Sequence, residues 1–360
     1  MKESSNCADF KGEDFYVGID AHKRNWTITV RTRDIVLKTF SADPSPEGLH
    51  RYMCRNYPNG RYHSVYEAGF CGYWIHRKLT DLNFRNIIVN PSDVPSTNKE
   101  RDRKSDPIDS RKLSRELANG SLGGIYIPTE DKEALRCVHR LYRQKARRLT
   151  QIKNRVKGFL HFCGVEIPSE FDRNCWSNNF IEYLKSVEFV HQHHKHVLLD
   201  HIEEFKHARK CKLDTVREIR MISKNIPLIK LLKTIPGLGT LTAFAVFVEL
   251  IDINRFRNTD HLASYVGLVP STQSSDTKVI EKGICFRHNK FLRSALIESA
   301  WVAIRYDPAM LDSYTRLRKH LQASEAIIRI AKKLLNRIRY VWLNECEYVC
   351  GVISAEKVKM

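Results

Sequence analysis

Apolar residues alternate with small or polar ones from Phe15 to Asp20, with Phe15, Val17 and Ile19 on one side and Tyr16 and Gly18 on the other. This period of two predicts a strand that ends in an acid. A turn through Ala21, His22 and Lys23 leads to a second strand, Trp26 to Val30, and Asp34 to Phe40 predicts a third. Asp43-Pro44-Ser45-Pro46 breaks this meander. Leu49 to Arg55 then reads as a helix and Tyr57 to Arg61 as a turn. Tyr62 to Tyr66 reads as a strand running into a second acid, Glu67. Gly69 and Gly72 loosen the turn before a helix around Tyr73 to Leu79, and Phe84 to Val89 gives a fifth strand.

Three strands, helix, strand, helix, strand is the order of an RNase H-like α/β domain, which gathers acids at neighbouring strand ends. Asp20 and Glu67 would both lie there, where active-site groups collect in helix-covered sheets. Asp106 and Asp109 open a further helix through Leu117, and their spacing places them on one face. They also suit a simple helix start, with Asp106 as N-cap, Pro107 first and Asp109 third. The two roles can coexist, since a capping carboxylate can also face a metal. Four converging carboxylates repel one another, and Mg²⁺ would compensate that charge and support phosphodiester chemistry.

The periodicity changes after residue 125. Leu135, Tyr142, Leu149 and Val156 recur every seven residues, with Val138, Ile152 and Phe159 interleaved, a coiled-coil-like seam that Lys145 interrupts. Between Ala134 and Lys157 there are nine Lys or Arg and no acid. Arg136, Arg140, Arg143, Arg147, Arg148, Lys153, Arg155 and Lys157 are therefore expected to face a phosphate backbone. Solvated charge alone is the plainer account of a few of them. Phe180 to Ile222 predicts a second long, interrupted helical stretch that would complete a hairpin suited to dimerisation.

Two apolar helices meet at Pro236-Gly237-Leu238-Gly239, the pattern of a helix-hairpin-helix. Gly237 and Gly239 would let the turn approach a phosphate, with the next helix's first amides aimed at it. Residues 270–278 are polar and read as a loop. Ser324 to Tyr340 predicts a last helix, with Ala326, Ile330, Leu334 and Ile338 on one face.

Composition then narrows the partner. Sixty Lys and Arg against 41 Asp and Glu leave a formal charge of +19, which favours a polyanion, nucleic acid before an anionic membrane. No apolar run reaches the length of a spanning helix and residues 1–14 are not signal-like, so a cytoplasmic protein without a membrane partner is expected. Ten scattered Cys, with no CxxC, suggest neither a zinc site nor a disulfide scaffold.

YVGIDAHKRNW, VYEAGF and RKSDPIDSRKL together resemble the amino-terminal domain of the DEDD transposases of the insertion-sequence 110/1111 group, which includes the Piv-type invertases. IPGLGTLTAFAVFVEL, NRFRNTDHLASYVGLVP and GICFRHNKFLRSALIESAW resemble that family's second domain. The resemblance spans about residues 15–340. It implies an RNase H-like (RuvC-like) catalytic domain over 12–125, a helical coiled-coil linker over 126–228, and a mainly helical transposase domain over 229–345. It also implies a metal-binding tetrad of Asp20, Glu67, Asp106 and Asp109, loaded with Mg²⁺. The family's nucleophilic serine, usually followed by Gly, falls on Ser275, with Ser274 the alternative because Asp276 follows here. Ser110 stands where Ala is usual after the last Asp, and Cys285 to His288 depart from the usual Thr-Lys-Arg-Gly run. Arg287, Asn289 and Arg293 remain as phosphate or scaffold contacts.

The activity implied is mobilisation of an insertion sequence through a phosphoserine link to DNA. The partners implied are double-stranded DNA at element ends and target, a structured guide RNA and further copies of the chain as a dimer or tetramer, in a bacterial, nucleoid-associated setting. A Piv-like invertase, a Mg²⁺-dependent junction nuclease and a non-enzymatic nucleic-acid-binding protein are the alternatives.

Overall fold

The computed structural model describes residues 9–95, 105–171, 176–275, 278–284 and 288–351, with side chains outside 270–287. The chain divides into two compact units, Met1–Ile127 and Pro128–Met360.

The first unit holds β1 (Asp14–Ala21), β2 (Trp26–Arg31), β3 (Val36–Ala42), α1 (Pro46–Asn56), β4 (Arg61–Glu67), α2 (Trp74–Asp81), β5 (Arg85–Val89) and α3 (Asp106–Ala118). The sheet order is β3-β2-β1-β4-β5. The β1–β2 and β2–β3 pairs are antiparallel, and β1–β4 and β4–β5 are parallel. This arrangement is consistent with an RNase H-like architecture. The predicted meander is present, although β3 starts at Val36 because Asp34 stays in the preceding turn. α1 begins three residues before Leu49, because Pro46 starts it and the Ser45 hydroxyl accepts from the Gly48 amide at 3.0 Å.

Strand alternation gives the sheet two different faces. Phe15, Val17 and Ile19 pack with Trp26, Ile28, Leu49, Met53, Ile75 and Leu79 in one core, on the side of α1 and α2. The opposite face takes α3, where Val65, Val89 and Leu113 form a smaller core. Gly18 belongs to that second face. A Cβ there would lie 2.1 Å from the Ser110 carbonyl oxygen and 2.5 Å from the Ser114 amide nitrogen, so the helix backbone sits directly on the strand. Ser110 is buried, and its hydroxyl lies 2.8 Å from the Thr29 hydroxyl on the adjacent strand. A small residue followed by a hydrogen-bonded serine thus fixes how closely α3 approaches.

The second unit begins with α4 (Glu130–Phe162), α5 (Asn178–Ser186) and α6 (Gln192–Lys224). α4 and α6 each run 33 residues and lie side by side. Arg155 meets Glu204 at 2.8 Å and Lys145 donates to Thr215 at 2.7 Å, so the two run antiparallel. The predicted seam is shared between two cores. Leu149, Ile152, Val156 and Leu160 pack with Leu198, Ile202 and Phe205. Leu135, Val138 and Tyr142 pack instead on a second core built by α7 (Pro227–Leu232), α8 (Thr240–Leu250), α9 (Thr259–Val266), α10 (Lys290–Tyr306), α11 (Pro308–Arg318) and α12 (Ala323–Asn344). The middle helices and the carboxyl-terminal helices fall in one compact unit, Pro128–Met360. Ala326, Ile330, Leu334 and Ile338 are all buried, as their spacing predicts.

The polar segment expected to be a loop is instead a hairpin, β6 (Pro270–Ser275) with β7 (Lys278–Ile284), paired antiparallel. Its Ser- and Thr-rich first strand lacks the apolar alternation that marks a strand in sequence, so backbone pairing is what reveals it. Among the described residues, no helix is long and apolar enough to cross a membrane.

Candidate functional site

Three strand- and helix-level constraints bring the acids of the first unit together. Asp20 is two residues beyond Gly18 and Glu67 two beyond Val65, so both fall on the sheet face covered by α3. The parallel register pairs Gly18 with Val65 and Ile19 with Tyr66, and one further step sets Asp20 beside Glu67 at the carboxyl ends of both strands. The close contact of α3 with Gly18 then delivers its first turn, which carries Asp106 and Asp109.

The start of α3 differs from the sequence expectation. Ser105 is the N-cap and Asp106 is already the first helical residue. The Asp106 carboxylate is therefore not consumed in capping. It lies 3.6 Å from His22 Nε2, while Asp20 lies 3.2 Å from the same nitrogen. On the other side of the cluster, Lys112 Nζ lies 3.3 Å from Asp109 and 4.0 Å from Glu67. Two basic side chains thus divide the four carboxylates into pairs.

Burial raises the Asp20 pKa above its ordinary value, His22 pulls it back, and the Asp106 and Asp109 carboxylates push it up again. That mutual repulsion is the mark of a pocket with excess negative charge. Asp20, His22 and Asp106 each offer a ligand atom, all within 4.8 Å of one another. Carboxylate oxygens are the hard donors a divalent ion such as Mg²⁺ prefers, so the residues present fit such an ion.

His22 and Lys112 were not singled out by sequence. The available signals were local: His22 follows Asp20 across the strand end, and Lys112 is one turn after Asp109 on the same helical face.

In the second unit, Ser275 pairs with Lys278 and Ser274 with Val279 in the hairpin, while Asp276 and Arg287 lie outside the described residues. Asn289 caps α10, accepting from the Leu292 amide at 3.1 Å and donating to Glu249 at 3.0 Å. Arg293 lies 3.4 Å from the His288 ring. These contacts give Asn289 a scaffold role.

Of the basic residues on α4, Arg140, Arg143, Arg147, Arg148 and Arg155 are exposed, and Lys153 and Lys157 are half-buried. Arg148 and Arg155 share Glu204, and the Arg143 guanidinium lies 4.2 Å from the Phe291 ring centre. Arg136 departs from expectation. It is buried and donates to the Val248 and Glu249 carbonyls at 3.1 and 3.3 Å, so its charge serves the fold and not a phosphate. Glu249 was also missed, although a lone acid in the apolar run Thr240–Leu250 was visible. Burial raises its pKa, but a hydrogen bond from His139 and the charges of Arg136, His139 and Arg140 more than reverse this, leaving it below its ordinary value.

The two glycines of the PGLG turn differ. Gly237 has φ +90°, and a Cβ would stand 2.2 Å from the Ser299 carbonyl oxygen, so that side of the turn is filled by α10. Gly239 has open space around it and caps α8.

Residues 17–164 match the DEDD transposase family of IS110, and residues 229–315 match the transposase IS116/IS110/IS902 family. The chain belongs to the IS110 family of DEDD transposases.

Two transposases resemble it along most of its length. It is 27% identical over 304 residues to a putative transposase of Sinorhizobium fredii, covering 81% of this chain and 72% of that one. It is 24% identical over 292 residues to the transposase for insertion sequence element IS1111A of Coxiella burnetii, covering 80% and 79%. A shorter match, 38% identical over 109 residues, joins 29% of this chain to 34% of the pilin gene-inverting protein of Moraxella bovis. The DEDD transposase match begins within β1 and spans Asp20, Glu67, Asp106 and Asp109. The protein is accordingly an enzyme of the transposase class.

Proposed function

We propose that this transposase moves an insertion sequence by Mg²⁺-dependent cleavage and rejoining of DNA through a phosphoserine intermediate. The observation that carries the reading is the gathering of Asp20 and Asp106 about His22 and of Glu67 and Asp109 about Lys112, on one face of one sheet. Asp20, Glu67, Asp106 and Asp109 hold the metal, with catalytic and metal-binding roles combined. When bound, Mg²⁺ supplies Lewis-acid activation and charge neutralisation at the phosphodiester.

Ser275, with Ser274 as the alternative, is the nucleophile. Its hydroxyl oxygen bonds to phosphorus, its proton passes to a carboxylate, and the displaced deoxyribose oxygen leaves as a hydroxyl after taking up a proton. Attack by a hydroxyl of the new partner strand reverses these changes, so every phosphodiester broken is replaced by one formed.

The exposed arginines of α4 lie along nucleic acid, and Gly239 with the start of α8 takes a phosphate in a helix-hairpin-helix-like element. Arg293 and Arg287 add phosphate contacts. The α4–α6 pair acts as a coiled-coil linker in a dimer or tetramer, and a structured RNA from the element's flank selects the DNA to be joined. Residues 12–125, 126–228 and 229–345 divide these tasks as catalysis, assembly and serine delivery.

A second reading, inversion of a DNA segment, draws support from the match to the pilin gene-inverting protein and uses the same chemistry. Incubation with element-end DNA, flanking RNA and Mg²⁺ tests the mechanism. A protein–DNA adduct lost in both Ser275→Ala and Asp20→Asn is expected. An adduct that survives Ser275→Ala but not Ser274→Ala moves the nucleophile by one residue. Cleavage without any adduct would falsify the serine step and leave a metal-dependent nuclease.

A further inference from the structure

Lys112 and His22 both stand among the acids, but in different settings. The His22 side chain is 48% exposed, whereas that of Lys112 is only 11% exposed. A lysine withdrawn this far from water persists where its charge is met by acceptors. Lys112 has Asp109 at 3.3 Å and Glu67 at 4.0 Å, on two different elements, α3 and β4. It is therefore a cation that ties the first turn of the helix to the end of the strand.

We propose that Lys112 is a built-in counter-cation. It holds Glu67 and Asp109 in place in the metal-free enzyme and competes with the incoming divalent ion for them. The inference rests on the reading that these carboxylates bind metal. Lys112 offsets part of the like charge of Glu67 and Asp109 and so favours keeping the helix start at the sheet edge. With Lys112 present the tetrad stays assembled, so metal binding needs little rearrangement. The cost is a weaker metal site, because the ammonium repels a dication and occupies carboxylate oxygens the ion would use. Lys112 is a positioning residue: it acts through the acids.

The test uses the full chain as wild type, Lys112→Met, Lys112→Gln and Lys112→Arg. Free Mn²⁺ is followed by electron paramagnetic resonance, and thermal midpoints are recorded in EDTA and in saturating Mn²⁺. Removing the charge is expected to lower the metal-free midpoint by about 2–4 °C. It should also tighten Mn²⁺ binding by about tenfold and enlarge the Mn²⁺-induced rise in midpoint. Lys112→Arg should stay near wild type on all three counts. A lysine that merely supports the fold would lower both midpoints together and leave Mn²⁺ affinity unchanged or weaker. That outcome in Met or Gln, or Met-like tightening in Arg, overturns the proposal. Should Met fail to fold, Gln carries the same comparison. Wild type that binds no Mn²⁺ sensitive to Asp20→Asn overturns the metal-site reading itself, a failure distinguishable from that of Lys112 alone.

Discussion

Gly18 and Ser110 touch through their backbones: a Cβ on Gly18 would lie 2.1 Å from the Ser110 carbonyl oxygen. Because the obstacle is helix backbone, no side-chain rotation relieves it. Gly18→Ala must push α3 away from β1, and with it Asp106 and Asp109 away from Asp20. The expected cost is about 3 kcal/mol. It should be read as a lower thermal midpoint of the first unit together with weaker Mn²⁺ binding. Unchanged Mn²⁺ affinity in a folded Gly18→Ala protein would contradict this account of how the acids converge.

The PGLG turn separates packing from binding. Gly237→Ala meets both a positive φ and the Ser299 carbonyl, and should destabilise the second unit by about 2–4 kcal/mol. Gly239→Ala meets open space at φ −78° and should leave the thermal midpoint within about 2 °C of wild type. If this amide end receives a phosphate, Gly239→Ala weakens DNA binding without loss of stability. Equal thermal losses for both variants would show that the turn is only a packing device.

Glu249 makes stability of the second unit depend on pH. Its pKa is lower in the folded chain than in the unfolded one, so its contribution is complete above the ordinary carboxylate range and is lost as pH falls through the folded value. At pH 7, Glu249→Gln leaves Arg136 without its counter-charge and should cost about 3 kcal/mol. Calorimetry of wild type and variant should show that difference shrinking below about pH 4. A gap that stays constant down to strong acid would mean the loss is steric.

The arginines of α4 should divide by burial. Arg140→Ala and Arg147→Ala, both at exposed positions, should weaken nucleic-acid binding and each lower the slope of log affinity against log salt by about one. Arg136→Met should instead lower the thermal midpoint through its lost bonds to Val248 and Glu249 carbonyls, with the salt slope unchanged. Filter-binding titrations over a salt series, beside thermal melts, distinguish the two effects.

Local pattern determined much of this protein. Alternation marked the first strand, and short runs bounded by turn residues marked the other four. The four acids and the basic helix were likewise legible in the chain. Four things were decided only by tertiary structure. Asp106 is the first helical residue rather than the cap, and sequence does not distinguish these when Ser105 precedes it. Arg136 is indistinguishable from Arg140 as a letter in a basic run, and only the packing of α4 on α8 turns one inward. The hairpin carrying Ser275 owes its strands to backbone pairing, which leaves no apolar signature in PSTQSS. Above all, His22 and Lys112 acquire their place among the acids through distance. Residues 20, 22, 67, 106, 109 and 112 become one electrostatic system because a glycine lets a helix rest on a strand.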